Sequence, residues 1–246
     1  MLLTIKRNIP NLITLCNLLC GIIAAWQAVK GNPHYAAIFI LLGIFFDFFD
    51  GLAARLLKVT STLGKELDSM ADLVTSGVAP GFILFYVLRQ CAIPSWFAFA
   101  ALLIPLTAAW RLAKFNLDTR QTSSFLGLPA PANALVWASV GFFFKSPSWT
   151  TIALLPVPNV CNWLFSGIGP IVLVLLSVIC SLLMVTEIPL FALKFKNIKW
   201  RDNRVRYIFL TASALLLLFF GIVGIPLTIA WYIILSLFTY KTDSKQ

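Results

Sequence analysis

Runs of about 20 apolar residues recur along the chain, the length an α-helix needs to cross the hydrocarbon core of a bilayer. They fall at roughly 11–30, 35–57, 67–89, 94–114, 129–144, 168–186, 207–222 and 224–240. The fifth is short, and a tight Gly221-Ile-Val-Gly-Ile-Pro226 turn joins the last two. The pattern predicts an all-α fold, a polytopic membrane bundle of about eight transmembrane helices. It reads as a single membrane domain over residues 1–246, with no soluble domain and no internal repeat. Within it, 1–10 is expected to be an interfacial segment, too short for a cleavable signal peptide. Residues 11–144 hold the chemistry, 145–240 form peripheral helices and 241–246 a polar tail.

Composition agrees: 60% of residues are hydrophobic and the mean hydropathy is +0.91. A net charge of +10 would by itself suggest nucleic acid, but the basic residues cluster at the ends of the apolar runs. There they meet an anionic leaflet, so the bilayer is the expected partner and nucleic acid is excluded. With the N-terminus inside, the inner segments hold 16 basic residues: Lys6, Arg7, Arg55, Lys58, Lys65, Arg111, Lys114, Arg120, Lys194, Lys196, Lys199, Arg201, Arg204, Arg206, Lys241 and Lys245. The outer segments hold three, Lys30, Arg89 and Lys145. This bias places the protein in the cell membrane with an even number of spans and residues 55–65 on the cytoplasmic side. The five cysteines, Cys16, Cys20, Cys91, Cys161 and Cys180, are odd in number and lack a C-x-x-C pair, which argues against zinc or a disulfide framework.

Against this background the acids stand out. Of nine carboxylate residues, five fall between positions 47 and 72, four of them aspartates: Asp47-Phe-Phe-Asp50-Gly51-Leu-Ala-Ala54-Arg55, then eight residues, then Gly64-Lys-Glu-Leu-Asp68-Ser-Met-Ala-Asp72. Charge in or beside a membrane span is costly and marks function. At helical spacing Asp47, Asp50, Gly51, Ala54, Arg55 and Lys58 share an arc of about 140°. Gly64, Asp68, Asp72 and Thr75 form a matching stripe on the next span. Two antiparallel helices would bring the stripes together. Four carboxylates in one cleft cannot all stay ionised unaided. Two divalent cations would resolve this, and an all-oxygen ligand set suits Mg²⁺ or Mn²⁺, with Ca²⁺ also compatible. Taken alone, the acids would equally suit the cation or proton path of an ion-coupled transporter.

The full pattern D-x-x-D-G-x-x-A-R, eight residues, G-x-x-x-D-x-x-x-D resembles the signature of the CDP-alcohol phosphotransferase family, matched at every position. Its small residues have no reason to recur in a proton path. The resemblance implies a membrane enzyme that displaces CMP from a CDP-linked donor with an alcohol. Asp47, Asp50, Asp68 and Asp72 would hold two divalent metals, and Asp72 would serve as the general base. Gly51, Ala54 and Gly64 would make room for the nucleotide, and Arg55 would contact phosphate. Asn11 and Thr14, in Pro10-Asn-Leu-Ile-Thr14, would either reach the nucleotide or simply cap the first helix. The family also implies a homodimer.

Two further stretches resemble the serine branch of that family: Leu67-Asp-Ser-Met-Ala-Asp72 continuing to Gly77-Val-Ala-Pro80, and Ala109-Trp-Arg-Leu-Ala-Lys-Phe-Asn116 followed by Phe125-Leu-Gly-Leu-Pro-Ala-Pro-Ala132. Lys114 stands where that branch usually has arginine. The resemblance implies transfer of a phosphatidyl group from CDP-diacylglycerol to L-serine. Arg111, Lys114 and Asn116 would bind serine or lipid phosphate, or the two cations would act only as inner-side anchors. Glycerol 3-phosphate, an inositol phosphate and an archaeal-type ether-lipid donor remain open alternatives.

Overall fold

A computed structural model describes residues 2–59, 61–117, 124–144, 163–191 and 200–243. Arg120, Lys145, Lys194, Lys196, Lys199, Lys245 and Cys161 lie outside the described residues. Among the described residues, nine α-helices follow one another: α1 Leu2–Val29, α2 Pro33–Leu57, α3 Thr62–Asp72, α4 Ala79–Gln90, α5 Leu103–Leu117, α6 Ala130–Phe143, α7 Gly169–Val185, α8 Trp200–Phe220 and α9 Gly224–Asp243. A π-helical turn, Leu73–Val78, joins α3 to α4, and a 3₁₀ segment, Ser95–Leu102, leads into α5.

Among the described residues, four uninterrupted helical stretches are long and apolar enough to cross a membrane: Asn8–Val29, Pro33–Leu57, Thr62–Gln90 and Ser95–Leu117. A fifth stretch, Asn203–Thr239, meets the same criterion and is divided by the 3₁₀ turn Gly221–Val223. Two apolar helices, Ala130–Phe143 and Gly169–Val185, are shorter. The chain is a polytopic helical membrane protein.

Its packing is that of a lipid-embedded bundle. Helix contacts are made by small residues: Ala24 and Ala28 on α1, Ala36 and Ala37 on α2, and Ala79, Ala101, Ala108, Ala130 and Ala134 beyond are fully buried. Bilayer lipid offers no hydrophobic drive between helices, so close backbone approach has to supply the attraction. Large apolar side chains point outward instead, such as Leu12, Leu15, Leu19, Ile22 and Trp26 on α1 and Leu175, Ile179 and Leu182 on α7. The larger buried side chains, Trp137, Ile40, Ile83, Leu84, Leu88 and Ile104, fill the centre, where α2, α4 and α6 pack on one another.

Three features depart from the expected layout. First, α1 runs through Pro10, so this proline lies inside a helix rather than at its start. The third span begins at Thr62 and not near 67. Its N-cap is Ser61, whose Oγ accepts from the Gly64 backbone N–H at 3.2 Å and satisfies an otherwise orphaned donor.

Second, the third span is not uniformly α-helical. Ala79 N–H bonds the carbonyl of Val74, five residues back. Pro80 has no N–H to give the carbonyl of Ser76, and the helix widens over the turn ahead of it. Third, the otherwise all-α fold carries one small antiparallel pairing, β1 Ser124–Leu126 with β2 Pro189–Phe191.

Candidate active site

The site is built where α1, α2 and α3 meet. α2 ends at Lys58 in the left-handed conformation (φ 52°), whose N–H caps the carbonyls of Ala54 and Arg55. The chain then reverses into α3. The described residues between Arg55 and Gly64 therefore hold the end of α2, the Ser61 cap and the first residues of α3. They turn two stripes of the sequence into two facing stripes.

Carboxylate oxygens of Asp47, Asp50 and Asp68 lie within 4.8 Å of one another. Asp50 is buried and accepts from the Thr14 hydroxyl at 2.6 Å; that hydroxyl also donates to the Pro10 carbonyl at 3.1 Å. Asp72, one turn beyond Asp68, accepts from Asn17 Nδ2 at 3.5 Å.

A cleft of about 670 Å³ opens beside these acids, lined in part by Asn11, Thr14, Asp50, Gly51, Ala54, Gly64 and Asp68. Seven of the residues singled out from sequence therefore share one cavity. Its size is that of a site for a substantial small molecule.

The two glycines in it play different parts. A Cβ on Gly51 would meet nothing within 4 Å, so Gly51 leaves bare backbone facing open space. A Cβ on Gly64 would lie 2.9 Å from Asn11 Oδ1, so Gly64 lets α1 approach α3. Arg55 is exposed and its Nε donates to the Gly51 carbonyl at 3.0 Å, folded back along its own helix at the cleft's edge.

The basic stretch of α5 divides. Arg111 lies within electrostatic reach of Asp72 and of Tyr232 on α9, and its Nε is buried without a hydrogen-bond partner. Lys114 pairs with Glu187 at 2.6 Å. Both cations line a second pocket of about 20 Å³, room for a water but not for an amino acid. Asn116 Nδ2 donates to Ser69 Oγ at 2.9 Å, and its carbonyl accepts from Lys65 Nζ at 3.1 Å. Asn116 thus ties α5 to α3.

Sequence reasoning missed Asn17 and Lys65. Lys65 lines the cleft, hidden in the sequence among the other inner-side cations. Asn17 is fully buried. The signal for it was its spacing, since Pro10, Thr14, Asn17 and Gly21 recur at three and four residues on one face of α1.

The acids suit hard divalent cations. All ligand atoms are carboxylate oxygens, three residues already converge, and Asp68 Oδ1 is buried with no hydrogen-bond partner. A buried carboxylate oxygen without a donor is costly unless a cation faces it.

The fold and the cleft define a polytopic membrane protein with an acid-lined pocket at one end of its first three spans. Residues 7–193 match the CDP-alcohol phosphatidyltransferase family, and the chain belongs to that family. It is 40% identical over 137 residues to the CDP-diacylglycerol–serine O-phosphatidyltransferase of Bacillus subtilis, covering 56% of this chain and 77% of that protein. It is 42% identical over 119 residues to the enzyme of the same name from Saccharomyces cerevisiae, covering 42% of this chain and 41% of that protein. A third, from Mycobacterium leprae, is 35% identical over 136 residues, covering 52% of this chain and 44% of that protein. The chain thus spans less than half the length of the yeast and mycobacterial relatives.

Proposed function

We propose that this protein transfers the phosphatidyl group of CDP-diacylglycerol to the hydroxyl of L-serine, giving phosphatidylserine and CMP. The observation that carries the reading is the convergence of Asp47, Asp50 and Asp68 beside one cleft, with Asp72 one turn further along α3, in a chain whose relatives bear the name of that reaction. The proposed ligands are Asp47, Asp50, Asp68 and Asp72, holding two divalent ions, Mg²⁺ or Mn²⁺. When bound, such ions would neutralise the diphosphate and the departing CMP.

The rest falls to the chain itself. Gly51 and Ala54 leave a wall against which the flat cytidine nucleotide can lie, with Asn11 and Thr14 on the α1 side. Arg55, at the edge, swings from the Gly51 carbonyl to a phosphate oxygen, for which its planar fork is suited. Asp72 accepts the proton of the serine hydroxyl as that oxygen attacks the phosphorus bearing diacylglycerol and CMP leaves. Arg111, buried within electrostatic reach of Asp72 and with an unpaired Nε, is proposed to engage the serine carboxylate or a lipid phosphate oxygen from the Asp72 side, not through the 20 Å³ pocket. Lys114 and Asn116 border that position while engaged by Glu187 and Ser69.

The acyl chains stay in lipid while the head group enters the cleft, which opens toward the cytoplasm of the cell membrane, as the distribution of basic residues supports. A homodimer rests on the family resemblance alone.

The test is CMP release from CDP-diacylglycerol by purified protein in detergent with Mg²⁺ or Mn²⁺. L-serine, glycerol 3-phosphate, inositol phosphate and no acceptor are compared, with Asp72→Asn as control. Serine-dependent release lost in the variant is the expected result. Release with another acceptor keeps the chemistry and removes serine. No release with any acceptor removes the reading and turns attention to ion flux across sealed vesicles.

A further inference from the structure

We propose that Asn17 is the positioning residue that orients Asp72, and that Thr75, in the π-helical turn after Asp72, holds the Asn17 backbone in place. The inference rests on Asp72 being the base in the reading above.

Asn17 is completely buried. Its Nδ2 donates to Asp72 Oδ1 at 3.5 Å, while its own Oδ1 has no hydrogen-bond partner. On packing grounds alone such a residue is a poor choice. A buried amide with an unpaired oxygen carries a desolvation cost that leucine, of similar branched shape, would avoid. Its retention therefore points to the half of the amide that is used, the donor to Asp72. With Oδ1 engaged by Asn17, Asp72 presents Oδ2 to the acceptor hydroxyl, and the proton passes from that hydroxyl to Oδ2.

The π-helical turn supplies the second half of the device. Thr75 lies in it, and its Oγ1 donates to the backbone carbonyl of Asn17 at 3.1 Å. Thr75 is itself seated between two glycines. A Cβ on Gly21 of α1 would lie 2.9 Å from its Cα, and one on Gly43 of α2 would strike its Cγ2 and come within 2.9 Å of Asn17 Oδ1. Both helices are hollowed out around this single side chain. Asp72 and Thr75, three residues apart on one face, both engage Asn17, Asp72 its side-chain amide and Thr75 its backbone carbonyl.

The experiment compares Asn17→Leu, Thr75→Val and Thr75→Ser with wild-type protein in the same detergent, reading kcat, KM for both substrates, and Tm. Asn17→Leu is expected to lower kcat about 10- to 100-fold, the usual loss when an orienting partner is removed. KM should stay within about twofold, and Tm should change little, because losing the unpaired Asn17 oxygen offsets the donor taken from Asp72. Thr75→Val should lower kcat and Thr75→Ser, which keeps the hydroxyl, should restore it. A kcat for Asn17→Leu within about twofold of wild type overturns the proposal. So does a kcat loss that Tm follows downward and that Thr75→Ser does not relieve, since that assigns the asparagine to packing. A wild-type protein that releases no CMP strikes the parent reading instead. Release with an acceptor other than serine leaves this test intact, because Asp72 would take that proton too.

Discussion

Thr14 shows how a single hydroxyl can set the character of the acid cluster. It is almost fully buried and donates to Asp50 Oδ2 at 2.6 Å, while the Pro10 carbonyl shares its proton. A hydrogen bond to a charged group contributes about 1.5–3 kcal/mol, and fixing one carboxylate oxygen aims the other at the cleft. Thr14→Val keeps the shape and removes the donor. It should raise the Mg²⁺ or Mn²⁺ concentration for half-maximal activity by about tenfold or more, with Thr14→Ser near wild type; an unchanged metal requirement in the valine variant would deny Thr14 that role. The Lys114–Glu187 pair behaves differently despite an equally short contact. Both side chains are roughly half exposed, so the pair is worth at most about 1 kcal/mol. Glu187→Gln should leave Tm within about 2 °C, in keeping with so small a change, as a thermal unfolding curve would show.

Between elements, the same residue type is tolerated or forbidden according to what faces it. Gly43 and Gly51 lie two turns apart on α2. Adding a methyl at Gly43 drives it into Thr75 and Asn17, and overpacking of that kind costs about 1–3 kcal/mol. Adding one at Gly51 meets only space, and alanine in a helix is favoured over glycine by about 0.5–1 kcal/mol. Gly43→Ala should therefore lower Tm, while Gly51→Ala should keep or raise it and yet raise KM for CDP-diacylglycerol, because the methyl projects into the cleft. A Gly51→Ala protein with unaltered KM would remove the nucleotide from that wall. The two acid stripes were legible in the sequence because helical spacing alone fixes which residues share a face. The closeness of Gly43 to Thr75 was not, since it depends on the phase of one helix against another. Nor was the π-helical turn, for a bulge changes a hydrogen-bonding pattern without altering the apolar period that reveals the span. Pro10 misled for a related reason. Proline suits a helix start, and only the continuation through Leu2–Ile9 shows that it is internal here.

Across the molecule, the short pairing of β1 with β2 constrains the topology more than its size suggests. Ser124 faces Phe191 and Leu126 faces Pro189, and Lys114 nearby reaches Glu187. The end of α5 and the end of α7 therefore lie at the same end of the bundle. Among the described residues, α6 and α7, of 14 and 17 residues, run between them. At 1.5 Å per residue these span about 21 and 25 Å, short of the roughly 30 Å hydrocarbon core, so their length alone does not make them crossings. The pairing requires only that they go and return together. An even number of crossings there keeps every basic inner segment on one side, in agreement with the charge bias read from the sequence. Joined with the positive-inside rule, this predicts that Lys58, at the mouth of the cleft, faces the cytoplasm and Lys30, at the far end of α1, faces outward. Single-cysteine variants Lys58→Cys and Lys30→Cys, with the native cysteines replaced, would be treated in intact cells with a membrane-impermeant maleimide. Only Lys30→Cys should be labelled, and lysis should expose Lys58→Cys. Labelling of Lys58→Cys in intact cells would place the acid cleft outside, away from any cytoplasmic supply of serine and a nucleotide-activated lipid.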